Sequence, residues 1–203
     1  AYINRERLSN RYKQAAIHLS SRPVLPSSFS SPSGHFLVHY TTSGSDSVYQ
    51  SSNDTLVGGN TVPIYVYRIA QIADSVFDFG IGHLGYPTPP SDSGYDTDGA
   101  QYDIYIIDLG SAYYSYTIGD SALTNVSATS FIVIDNDYNF FPYSNRPLDA
   151  ARVSLAHEFF NAIIFGMDYR EYDIDSATQM IQTYWWAMSS TWMEEMAYDN
   201  IND

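Results

Sequence analysis

The chain has 203 residues, 44% of them hydrophobic and 16% charged, which excludes a disordered tail and leaves enough apolar side chain for a sizeable core. Its formal net charge of −14 would repel nucleic-acid phosphates and anionic membranes. No apolar run reaches the ~18 residues of a membrane span. The chain has no cysteine and only one lysine, Lys13, and it is rich in Ser, Thr, Asn and Tyr. That usage points to an exported protein at the cell surface or outside the cell. Ala1–Arg5 has no signal-peptide core, so the chain reads as processed or trimmed.

In chain order, Leu8, Tyr12, Ala15, Ala16 and Leu19 predict a short amphipathic helix over 4–20. Residues 21–34 are Ser/Pro-rich and read as a linker or surface strap. The alternation His35–Thr42 predicts a strand, and 43–60 a polar loop. Ile64, Tyr67, Ile69, Ile72, Ala73 and Val76 predict a helix over 62–79, with Pro63 in its first turn and Gly80, Gly82 and Gly85 ending it. An aspartate-rich turn follows over 87–99. Strands are predicted over 102–109 and 130–135, the second buried on both faces. The longest helix runs over 148–165 and stops at Gly166, and a last helix covers about 176–200. The expected fold is a single α+β domain over 1–203. It comprises an N-terminal helix and strap (1–34), a sheet-rich part (35–145), and a motif helix followed by a C-terminal helix (146–203).

The most informative stretch is Leu155-Ala156-His157-Glu158-Phe159-Phe160-Asn161. In the zinc motif H-E-x-x-H, two imidazoles at i and i+4 share a helix face and hold Zn²⁺, while the adjacent Glu activates the bound water. Here His157 and Glu158 are present, and Asn161 stands where the second imidazole belongs. Polar groups in so apolar a helix cost a few kcal/mol unless paired, so they require a reason.

Ser33–Tyr40, Tyr102–Ile106, Phe131–Asp137, Ala156–Phe160 and Thr191–Asp199 together resemble the MXAN_6640-like family of secreted bacterial metalloproteases, in the zincin (gluzincin-like) group. The resemblance spans roughly residues 22–203. It implies a zincin-like fold with a mixed sheet, a backing helix, an active-site helix and a C-terminal helix. It also implies zinc as cofactor and a third ligand, the first Glu of a W-x-E-A-T-A-T-W-M-E-E pattern. This chain reads Trp185-Trp186-Ala187 there and continues to Trp192-Met193-Glu194-Glu195. In that register Ala187 replaces the third ligand. Glu194 lies seven residues on, about 10 Å along the helix axis, and is a weak substitute. With two ligands lost, zinc affinity should collapse and Glu158 becomes a relic; if the chain is active, Glu158 is the general base.

Asp92, Asp96, Asp98 and Asp103 cluster around Gly94 and Gly99. They read either as a solvated acidic turn or as a calcium site, since hard cations seek several oxygens on a tight turn. Asp135-Asn136-Asp137 reads as a plain turn. Asn53-Asp54-Thr55 and Asn125-Val126-Ser127 are glycosylation sequons at Asn53 and Asn125. The aromatic groups Tyr113–Tyr116, Phe140–Tyr143 and Tyr184–Trp186 divide between core and binding surface.

The leading expectation is an exported, inactive peptidase homologue that acts through a protein or peptide partner or by self-assembly. An active zinc endopeptidase with a non-standard ligand set is the alternative. A structural subunit of a surface layer or filament is the third reading.

Overall fold

The computed structural model describes residues 22–93, 98–169 and 179–201. Among these residues it is mixed α/β, with a five-stranded mixed sheet, a two-stranded hairpin and three α-helices. The chain runs β1 (Ser27–Ser30), β2 (Phe36–Tyr40), β3 (Asp54–Val57), β4 (Asn60–Pro63), α1 (Ile64–Phe77), β5 (Tyr102–Ile107), β6 (Ser115–Ala122), β7 (Ala128–Asp135), α2 (Pro147–Asp168) and α3 (Gln179–Tyr198). The main sheet is ordered β1-β2-β5-β7-β6. β2, β5 and β7 run parallel in its centre, and β1 and β6 are antiparallel edges.

Period-two alternation divides the sheet into two unequal faces. Phe36, Val38, Ile104, Ile106, Ile132 and Ile134 form one core with α1 and α2. Phe159 of α2 locks into it edge-on to Phe36, with ring centroids 5.5 Å apart. The opposite face carries a smaller cluster of Tyr105, Phe131 and Val133, packed by Leu25 of the segment before β1. β7 is buried along its whole length, as its unbroken apolar run implies. Among the described residues no helix is long and apolar enough to cross a membrane.

Several sequence expectations are corrected. The strap over 21–34 contains β1, which pairs with β2. The polar loop over 43–60 contains β3 and the start of β4, joined through Gly58 and Gly59 at φ +56° and +87°. Those two positive φ angles form a tight hairpin turn that the Gly-Gly pair signals. β6 was not expected at all. Gly80 and Gly82 do not end α1, because the chain continues through a π-helical turn, Asp78–His83. Gly166 does not stop α2 either; a Cβ there would come within 2.6 Å of Pro90 Cδ, so this glycine serves a close approach inside the helix. The helix expected over 4–20 lies outside the described residues.

Candidate functional site

α2 reaches the site across the edge of the sheet. In the β6–β7 register Ser115 pairs with Ile134 and Thr117 with Ile132. Cross-strand partners share a face, so both hydroxyls point at α2. They meet Glu158, which is only 5% exposed. Ser115 Oγ donates to Oε1 at 2.8 Å, and Thr117 Oγ1 donates to Oε2 at 2.7 Å. Asn161 Nδ2 also donates to Oε2, at 3.0 Å. A buried carboxylate is costly unless hydrogen-bonded, and here one donor reaches Oε1 and two reach Oε2.

The other side of α2 faces α3. Asn161 Oδ1 accepts from Ser190 Oγ at 2.5 Å, and Ser190 is fully buried. His157 Nδ1 lies 2.5 Å from Glu194 Oε1. One turn further along α2, Phe165 packs edge-on to Trp186 at 5.2 Å. The pairs 157/194, 161/190 and 165/186 step by four in opposite directions, as antiparallel helices require. Burial pulls the His157 imidazole down. The hydrogen bond to Glu194 and the charges of Glu158 and Glu194 outweigh it, so His157 holds its proton above the ordinary histidine range.

Of the expected ligand positions, the structure therefore brings His157, Asn161 and Glu194 to one helix–helix seam. Ala187 faces solvent. The α3 residues opposite the motif are Ser190 and Glu194, so Glu194 sits nearer to His157 than helix arithmetic from Ala187 allows. The set does not fit catalytic zinc, which asks for three imidazole or anionic ligands. His157 and Glu194 supply only two such ligands, and Asn161 offers a neutral amide whose oxygen accepts from Ser190.

The expected acidic cluster lies on the opposite face of the sheet. Arg22 donates to Asp103, to Asp92 at 2.5 Å and to Asp120 at 2.8 Å. Asp103 Oδ1 also lies 2.9 Å from His39 Nε2, and Asp98 Oδ2 lies 3.6 Å from the same nitrogen. Asp92 is raised to about 7, by burial and by the adjacent Asp103 charge, against the pull of Arg22. Asp92, Asp98 and Asp103 are thus brought together; Asp96 lies outside the described residues. His39, Arg22 and Asp120 were not foreseen. The strand alternation that places His39 beside Asp103 was the available signal.

Asp135 is a turn former: its carboxylate accepts from the backbone amides of Leu109, Tyr138 and Asp137. Asn53 and Asn125 are both exposed. Tyr113 and Phe141 are exposed, whereas Tyr143 is buried.

No family model, no curated protein and no solved structure matches this chain.

Proposed function

We propose that this chain is a peptidase-like domain whose motif has become a clamp between the edge of the sheet and the two last helices, and that it binds a protein or peptide without cleaving it. One observation carries the reading: both oxygens of Glu158 are taken by Ser115, Thr117 and Asn161. A general base must be within reach of a water or substrate proton, and this carboxylate is buried among its own donors. Exposed Tyr113, Tyr114, Phe141 and Trp192 on an acidic, tyrosine-rich chain supply apolar contact area of the kind that binding surfaces use. An extracellular setting follows from composition alone and belongs to the same proposal.

The competing reading is an active zinc endopeptidase ligated by His157 and Glu194. It rests on their 2.5 Å contact. Incubation with an unstructured protein substrate in zinc-containing buffer separates the two. The expected result is a bound substrate recovered intact. Cleavage that disappears in Glu158→Gln would restore the enzyme reading.

A further inference from the structure

The face of the sheet away from α1 and α2 holds a second arrangement of ligand-type atoms. We propose that His39, Asp98 and Asp103 form a site for one borderline divalent cation of the Zn²⁺ kind, separate from the motif helix.

The argument begins with register. In the parallel β2–β5 register Leu37 pairs with Asp103 and His39 with Tyr105, so His39 and Asp103 point to the same face. His39 Nε2, Asp103 Oδ1 and Asp98 Oδ2 all lie within 4.8 Å of one another. The two distances from the imidazole nitrogen are 2.9 and 3.6 Å. Atoms that share one ion at about 2.1 Å stand about 3.0 to 3.4 Å apart, depending on geometry, so this spacing suits a common ion.

The donors are held before any ion arrives. The His39 ring stacks on Tyr105, with centroids 4.4 Å apart and planes 10° from parallel. Arg22 fixes the other oxygen of Asp103 and leaves Oδ1 directed at the imidazole. A carboxylate oriented in this way is what a metal ligand requires of its surroundings.

A separate observation points to a missing cation. Asp92 is 3% exposed and its Oδ2 is held by Arg22, but among the described residues its buried Oδ1 meets no hydrogen-bond donor. Asp92, Asp103 and Asp120 place three carboxylates on the guanidinium of Arg22, and Asp98 adds a fourth negative charge beside His39 and Asp103. A cation held by His39, Asp98 and Asp103 would offset this excess negative charge. Calcium is the poorer occupant, because it seeks six to eight oxygens at about 2.4 Å and gains little from an imidazole.

Calorimetric titration of the full chain with ZnCl₂ tests this. The expected result is one equivalent bound, with affinity reduced at least about tenfold in both His39→Gln and Asp98→Asn and unchanged in His157→Gln. Asp98 lies on an exposed segment, so its variant folds even if the buried His39 change disturbs the sheet. No binding by the wild-type chain would overturn this site and leave the peptidase-like reading untouched. Binding unaffected by His39→Gln and Asp98→Asn would overturn it, as would Ca²⁺ binding more tightly than Zn²⁺. Loss of binding in His157→Gln would overturn it too, and would count against the clamp reading of the motif helix.

Discussion

Removing the Glu158 carboxylate would take the acceptor from the half-buried Ser115 hydroxyl and the buried Asn161 amide, while Thr117 Oγ1 keeps the backbone carbonyl of residue 158 at 2.9 Å. Ser115, Thr117 and Asn161 all donate to it, and Thr117 and Asn161 are themselves buried. An unpaired buried donor costs about 1–3 kcal/mol, so Glu158→Ala should destabilise the fold by an amount of that order in denaturant melts. An active-site carboxylate behaves in the opposite way, because catalytic groups are kept at the expense of stability and their removal is neutral or stabilising. A Glu158→Ala variant as stable as the parent would therefore mark a poised catalytic group and not a clamp. Here the sequence was legible in part. His157-Glu158 announced polar groups inside an apolar helix, but nothing local to the motif revealed that the partners of Glu158 come from β6, about forty residues earlier.

The seam between α2 and α3 is built from the rungs 157/194, 161/190 and 165/186. Its charged rung makes the seam sensitive to pH. The folded His157 binds its proton more tightly than an unfolded histidine of ordinary value 6.5. The stabilisation is fully present below pH 6.5 and is lost as pH rises above that value through the raised folded pKa. Amide exchange in α2 and α3 should therefore quicken between pH 6.5 and mildly alkaline pH, once corrected for intrinsic rates. In Glu194→Gln, which keeps the hydrogen bond without the charge, this pH dependence should flatten. Unchanged pH dependence in Glu194→Gln would show that the rung does not couple the helices. At this scale helix positions were readable from 3.6-residue periodicity, and helix ends were not. Gly166 looks like a terminator in sequence, yet it is kept for the approach of Pro90, a tertiary fact. β6 escaped because an edge strand needs only a half-buried pattern. Its polar Ser115 and Thr117 point inward to Glu158, which reverses the usual alternation of apolar inside and polar outside.

Across the whole molecule, one sheet separates two polar constellations, and Arg22 secures the one away from the helices. The segment 22–26 lies over Tyr105 and Phe131, with Leu25 packed on that cluster and the Arg22 guanidinium 5.3 Å from the Phe131 ring centre. The same guanidinium reaches carboxylates from the loop before β5, from β5 itself and from β6. A chain of net charge −14 has few cations to spare, and the buried Asp92 and Asp103 share this one. Loss of Arg22 leaves Asp92 and Asp103, at 3% and 1% exposure, without their cation. Breaking a buried pair by removing one partner costs about 3–5 kcal/mol, and Arg22→Gln should lower stability by an amount of that order. Arg22→Lys should recover only part of the loss, because an ammonium lacks the planar fork that spans three carboxylates at once. Salt distinguishes this from a surface effect. Exposed pairs weaken as the Debye length shrinks from about 10 Å at 0.1 M to about 3 Å at 1 M, whereas a buried network is screened far less. The stability difference between the parent and Arg22→Gln should therefore persist at 1 M NaCl. If it vanishes there, Arg22 is a surface charge.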